Sequence, residues 1–146
     1  MQQRVRIDQS LPDVWKAMYH LATTVNHNKL TPIQRELIKI RASQINACAF
    51  CLNMHTQDAL KYGETAQRIF LINAWRETDI FSAEEKLLLA MTEEVTLVHN
   101  HGLSEATYNE ALQYFDEEAI AQIIMNIVMI NAWNRIAVST HLPIAG

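Results

Sequence analysis

Glycine, proline and cysteine are scarce in this 146-residue chain, at three, three and two copies. That scarcity excludes a collagen-like repeat, a flexible Gly/Pro-rich linker and a disulfide-stapled miniature scaffold. Charge of one sign is also lacking. Twelve Lys and Arg stand against sixteen Asp and Glu, a formal net charge of −4. No basic surface is therefore available for a nucleic acid or an anionic membrane. No apolar run of signal-peptide type opens the chain, and nothing there reads as an Arg- and Ser-rich transit peptide, so the expected location is the cytoplasm. The most apolar stretch, residues 119–133, is interrupted by Gln122, Asn126 and Asn131. It falls short of the roughly 18–20 apolar residues of a membrane span and reads as a buried helix.

What is present is a globular balance, with 49% hydrophobic and 19% charged residues, and a length that fits one domain over residues 1–146. Apolar residues recur at helical steps. Leu11, Val14, Trp15, Met18, Leu21 and Val25 predict a first helix over about residues 11–27. Thr31, Pro32 and Gln34 form a start signal for a second helix through Ile45. Gly63 suits a left-handed stop, after which residues 64–75 predict a further helix. Ser82 and Glu85 form another capping box, opening a helix that runs toward Gly102, and Ser104 and Asp116 are candidate caps for the last two. No strand alternation of useful length occurs, so the class is all-α. Met125 and Met129 are expected in a buried stripe, and Trp15, Trp75 and Trp133 in core or interface positions. The tetrapeptide Ile-Asn-Ala-Trp occurs at residues 72–75 and again at 130–133. Internal duplication and chance reuse explain it equally well.

The chemistry concentrates in residues 36–55, ELIKIRASQINACAFCLNMH. Cys48 and Cys51 form a C-x-x-C, and on one helical turn their Cα atoms fall within the roughly 4.4–6.8 Å that a disulfide tolerates. His55 lies one turn beyond Cys51 on that face. If the pair starts its helix, the unpaired amides and the helix dipole favour a thiolate, and His55 is suited to take the proton. Glu36 is twelve residues from Cys48, about 18 Å along an unbroken helix. It reaches the site only if the chain turns, and Asn46 and Ala47 are the expected break; Glu36 would then orient His55 or accept a proton through water. Read alone, the cysteines are also compatible with two buried thiols. A zinc site using Cys48, Cys51 and His55, with Glu36 or another histidine as fourth ligand, is a further alternative, though no second C-x-x-C supports it. His99 and His101 read as helix C-terminal residues rather than ligands, and His20, His27 and His141 have no assigned role.

Glu36, eleven residues, Cys48-x-x-Cys51, three residues and His55 together resemble the signature of the alkylhydroperoxidase AhpD-like branch of the carboxymuconolactone decarboxylase superfamily. The runs at residues 41–59, 73–77, 84–96 and 131–138 are similar to its small single-domain members. The resemblance implies an all-helical subunit in a homo-oligomer, commonly a trimer or hexamer, with thiol peroxidase or dithiol oxidoreductase activity and an antioxidant role. It implies Cys51 as the peroxidatic thiol, Cys48 as the more accessible resolving thiol, and His55 and Glu36 as the proton relay. The implied partners are a small hydroperoxide and an external dithiol, thioredoxin-like or lipoyl reductant; no metal or organic cofactor is needed. Phe50 stands where well-studied AhpD proteins carry a histidine, which bears on hydroperoxide turnover. The alternatives are a decarboxylase-like enzyme, disfavoured because members with that activity lack the cysteine pair, and a non-catalytic redox-sensing or zinc-binding helical oligomer.

Overall fold

The computed structural model describes residues 2–25 and 29–144, and none of these forms a strand. Among the described residues eight α-helices follow one another: α1 (Ile7–Ser10), α2 (Pro12–Val25), α3 (Pro32–Ile45), α4 (Ala49–Lys61), α5 (Ala66–Leu71), α6 (Ala83–Thr96), α7 (Glu105–Ala111) and α8 (Glu117–Thr140). Short 3-10 turns cover Ile72–Glu77 and Val98–Asn100.

The starts are chemical. Thr31 and Ser82 each accept from the backbone three residues on while Gln34 and Glu85 reach back to the cap amide, so both expected capping boxes form. Thr65, Ser104 and Asp116 cap α5, α7 and α8 through a side-chain oxygen. Each such cap contributes about 1 kcal/mol. Three stops share one device, in which a left-handed residue lets two amides bond back across the last turn. Gly63 (φ 97) closes α4, with Glu64 N–H to the Ala59 carbonyl and Gly63 N–H to that of Leu60. Ala47 (φ 51) closes α3 with the corresponding bonds to Ser43 and Gln44, and His141 (φ 53) closes α8 with bonds to Ala137 and Val138. This is the Schellman pattern, in which glycine is the usual left-handed residue.

Helix α3 is the central element. It buries Leu37, Ile38, Ile40 and Ala42 on several sides, with contacts to α4, α6 and α8. Ile38 packs with Leu88, Met91, Ile123 and Ile127; Leu37 and Ile40 pack with Ala59, Ile72, Trp75 and Leu89; Ala42 packs with both cysteines, Ile130 and Ala137. Its charged Glu36, Lys39 and Arg41 are each matched by a partner, Glu36 with Lys39 and Arg41 with Glu93, which lets a partly polar helix sit inside the fold. By contrast α2 buries no residue fully and rests on α8.

Four expectations need correction. The first helix is preceded by a separate turn, α1, and its described part ends at Val25; residues 26–28, including His27, lie outside the described residues. The helix expected over 64–75 is instead α5 followed by a 3-10 turn, with Ala74 out of helical conformation (φ −116, ψ 22). The break directs the Trp75 indole N–H to Glu93 Oε1 at 2.8 Å, a tertiary bond that overrides the local period. The helix from Ser82 stops at Thr96, short of Gly102, because Leu97 leaves helical conformation (φ −88, ψ 49), and the 3-10 turn Val98–Asn100 leads on to left-handed His101 and Gly102. Met129 is buried, but Met125, one turn earlier on the same side of α8, is 36% exposed. The repeated tetrapeptide is no structural repeat: one copy lies in a 3-10 turn and the other in mid-α8.

Leu88, fully buried against Ile38 and Ile127, tests this packing. Leu88→Ala is expected to lower unfolding free energy by about 2–5 kcal/mol, read from the urea midpoint at unchanged slope.

Candidate functional site

The α3–α4 junction delivers the thiols. Asn46 and left-handed Ala47 form the turn, and α4 starts immediately with Cys48 as its N-cap. Asn46 Nδ2 donates to both Asn131 Oδ1 and Asn134 Oδ1 at 2.9 Å, while Asn134 Nδ2 donates to Ser43 Oγ at 3.0 Å. The turn is thus fastened to α8 through half-buried Asn46 and Asn131 and buried Asn134, whose loss would leave polar groups without partners.

Cys48 and Cys51 form a disulfide with a Cα separation of 5.4 Å. The Cys51 backbone N–H donates to Cys48 Sγ at 3.3 Å. Cys48 therefore sits in the positive end of the α4 dipole, which in the reduced protein favours its thiolate. The implied difference in accessibility is absent, with Cys48 1% and Cys51 2% exposed. What separates them is the cavity each borders. Cys51 lines a cavity of about 430 Å³ with His55, Lys39, Met54, Trp15 and Trp133, whereas Cys48 lines one of about 230 Å³ with Ala47, Val138, His141 and Leu142. Phe50 borders both.

The junction also brings Glu36 to the site. His55 Nδ1 lies 2.8 Å from Glu36 Oε2, and Lys39 Nζ donates to Glu36 Oε1 at 2.9 Å. Both Glu36 and His55 are buried. Burial pushes the Glu36 carboxyl up, but the His55 hydrogen bond and the Lys39 charge together outweigh it and hold the group below its ordinary value. An ionised Glu36 can only accept, so His55 Nδ1 donates to it. The four predicted residues thus divide into two pairs: a disulfide at the start of α4, and a His–Glu pair one turn further on.

Sequence reasoning missed Lys39 and Asp58. Lys39 follows Glu36 by three residues, an ordinary helical ion-pair spacing. Asp58 follows His55 by three, lines the same cavity, and offers an oxygen within 4.8 Å of ligand atoms on Glu36 and His55. Above them Trp15 and Trp133 meet edge to face at 5.1 Å, and Tyr19 meets Trp133 at 6.5 Å, so the larger cavity has an aromatic wall. Of the apolar residues beside the cysteines, Phe50 and Met54 face this cavity, and Leu52 packs into the core near Leu37.

Comparison with known proteins agrees with this architecture. The model of the carboxymuconolactone decarboxylase family matches residues 11–94. The uncharacterized protein YdfG of Bacillus subtilis is 40% identical over 139 residues, covering 95% of each chain. A crystal structure of a protein of unknown function from Agrobacterium tumefaciens, provisionally named as the antioxidant defence protein AhpD, superposes with a TM-score of 0.94 at 32% identity and covers 99% of both chains. The debrominase Bmp8 shares the fold at a TM-score of 0.84 and 18% identity, over 94% of this chain and 74% of its own. Among the described residues, no helix is long and apolar enough to cross a membrane.

The depressed Glu36 carboxyl links stability to acid. A carboxyl whose folded pKa lies below its unfolded value near 4.5 stabilises the fold above that value and loses the contribution as pH falls through the folded pKa. Glu36→Gln is expected to cost about 1–3 kcal/mol at pH 7 and to flatten the decline below pH 4.5, read from chemical denaturation across pH 2.5–7. An unchanged acid limb would remove Glu36 from that role.

Proposed function

The chain belongs to the carboxymuconolactone decarboxylase family, and from that membership we propose that it is a thiol-dependent alkylhydroperoxidase or dithiol oxidoreductase with an antioxidant role. One observation carries the reading. A C-x-x-C disulfide at a helix start borders, through Cys51, the same cavity as a histidine held by a buried carboxylate. Neither decarboxylation nor simple core packing calls for that combination.

In the proposed cycle His55 accepts the Cys51 proton, and the thiolate attacks the distal oxygen of a hydroperoxide. The O–O bond breaks, Cys51 becomes a sulfenic acid, and the alcohol leaves with the proton held by the His55–Glu36 pair. Cys48, its thiolate favoured by the α4 amide, attacks the Cys51 sulfur, expelling water and closing the disulfide. An external dithiol then reduces the disulfide and is itself oxidised. Its thiolate reaches Cys48 through the smaller cavity, and Cys51 departs toward His55. A sulfur attacked on one side and released on the other suits the in-line requirement of thiol–disulfide exchange. The apolar, aromatic-walled cavity at Cys51 suits a hydrophobic hydroperoxide. Phe50 has no proton to carry, so the relay runs through the His55–Glu36 pair.

A homo-oligomer fits α2, whose exposed Val14, Tyr19 and Leu21 leave apolar surface for a neighbouring subunit. The 17–18% identity to a debrominase concerns the fold alone and does not bear on substrate.

Free thiols and intact mass, followed on reduced protein before and after a slight excess of cumene hydroperoxide, test the cycle. Wild type is expected to lose both thiols far faster than free cysteine, with a mass drop of about two hydrogens. Cys51→Ser should abolish the reaction, and Cys48→Ser should stop at a sulfenic acid trapped by dimedone. Equal behaviour of the two variants would overturn the assigned roles; thiols that survive peroxide would overturn the function.

A further inference from the structure

Cys48 is 1% exposed, so a reductant meets its sulfur only through the smaller cavity. Besides Cys48, the described residues that line this cavity are Ala47, Ala49, Phe50, Ala137, Val138 and Leu142, together with His141. The first six have side chains with no proton to carry. Among the described residues of that wall, His141 is therefore the one acid–base group apart from the thiol itself.

Its place is set by how α8 ends. His141 takes a left-handed backbone (φ 53, ψ 51); its amide bonds back to the Val138 carbonyl, and the Leu142 amide to that of Ala137. Ala137, Val138 and Leu142 also line the cavity, so the helix stop and the cavity wall are one construction. Glycine is the usual residue at such a stop, and an imidazole adds nothing that the stop requires. The segment before α1 lies across the same end. Arg4 N–H donates to the Thr140 carbonyl at 2.8 Å, and its guanidinium donates to that of Ser139 at 3.1 Å. The Gln2 carbonyl lies 3.3 Å from His141 Nδ1, and a carbonyl only accepts, so Nδ1 donates to it. Nε2 has no hydrogen-bond partner among the described residues.

We infer that His141 is the general base of the reductive half of the cycle, its Nε2 taking the proton of the thiol that enters the smaller cavity. This rests on the dithiol chemistry proposed above and deepens it. A free thiol near neutral pH is mostly protonated, and only its thiolate attacks a disulfide, so a base on the wall beside Cys48 speeds the attack. The first thiol of the dithiol gives its proton to Nε2, and its sulfur bonds to Cys48 as the Cys48–Cys51 bond breaks. Cys51 leaves as a thiolate and is protonated from solvent through His55. The second thiol loses its proton to solvent and attacks the sulfur joined to Cys48. Cys48 is released and takes back the proton held at His141. The dithiol is oxidised by two electrons to a cyclic disulfide, and the cysteine pair is reduced by two. Each sulfur then has its own histidine, His55 in the larger cavity and His141 in the smaller.

Dithiothreitol is the probe, mixed anaerobically with oxidised full-length protein at pH 7, with loss of the disulfide followed by rapid alkylation and intact mass. His141→Gly and His141→Asn both suit a left-handed residue, so the helix stop is kept while the imidazole is removed. Both are expected to slow reduction by about 10–100-fold, at the low end of general-base effects because dithiothreitol supplies some thiolate of its own. Free imidazole should restore the His141→Gly rate and leave wild type unchanged. Reduction by tris(2-carboxyethyl)phosphine, which attacks without giving up a proton, should proceed at one rate in all three proteins. Equal dithiothreitol rates in wild type and variants overturn the inference. So does a deficit that the phosphine shares or that imidazole does not relieve, since that marks a packing defect. Failure of the underlying reading looks different: the wild-type disulfide would react with dithiothreitol no faster than oxidised glutathione does, which removes the reading and the inference with it.

Discussion

A carboxylate on the innermost helix is the constraint around which the rest is arranged. Glu36 is 3% exposed on α3, between Leu37 and residues that pack against three other helices. An unpaired charge there would cost several kcal/mol. Two partners from within the fold remove that cost: Lys39 one turn along α3, and His55 from α4. Accepting His55 as a partner dictates the crossing of α3 and α4, since 2.8 Å leaves no room for a shift of register. The crossing in turn requires a sharp reversal between Ile45 and Ala49. Cys48 and Cys51 occupy the residues that follow that reversal, so the burial of one acid fixes where the sulfurs stand.

The reversal is held at some local cost. Ala47 adopts φ 51, a region where a Cβ is disfavoured by about 1–2 kcal/mol. Two closing backbone bonds and the fan of amide bonds from Asn46 to Asn131 and Asn134 offset it. Asn131 also donates to Thr96 Oγ1 on α6, so the turn is tied to two helices at once. Asn131, which interrupts the apolar run of α8, and Asn134 just beyond it are therefore anchors for the thiol-bearing loop. Polar groups in such a run demand partners inside the core, and here the partners lie across the chain in the redox segment.

Much of this was legible from residue types. The capping boxes at Thr31 and Ser82, the left-handed Gly63, the disulfide-compatible spacing and the requirement for a break before Cys48 are local facts, and local chemistry settles them. Glu36 was reachable only by combining a helical distance with the assumption of a turn. Long-range facts were hidden. Nothing near Ala74 signals that Trp75 must reach Glu93, and two copies of Ile-Asn-Ala-Trp take different conformations because their surroundings differ. Ala47 gives no glycine to mark its left-handed backbone. Asp58 belongs to the Cys51 and His55 face by simple counting, yet an acid near a lysine on a helix looks like surface charge until a cavity is seen beside it. Exposure of individual cysteines was equally out of reach: both are buried, and only the cavities tell them apart.

That pair of cavities bears on how charge moves. At Cys51 the walls are mostly apolar, so a thiolate is poorly solvated and its formation is opposed by burial. Lys39, the cation in that cavity, is already matched by Glu36, and the α4 amide serves Cys48 rather than Cys51. The remaining basic group in that cavity is His55, held at Nδ1 by the Glu36 carboxylate. In the proposed cycle, thiolate at Cys51 and proton at His55 appear together, as an ion pair formed by one transfer with no net charge brought into the core. Proton transfer in that cycle thus draws on a charge balance set by Glu36 and Lys39 on the helix beneath.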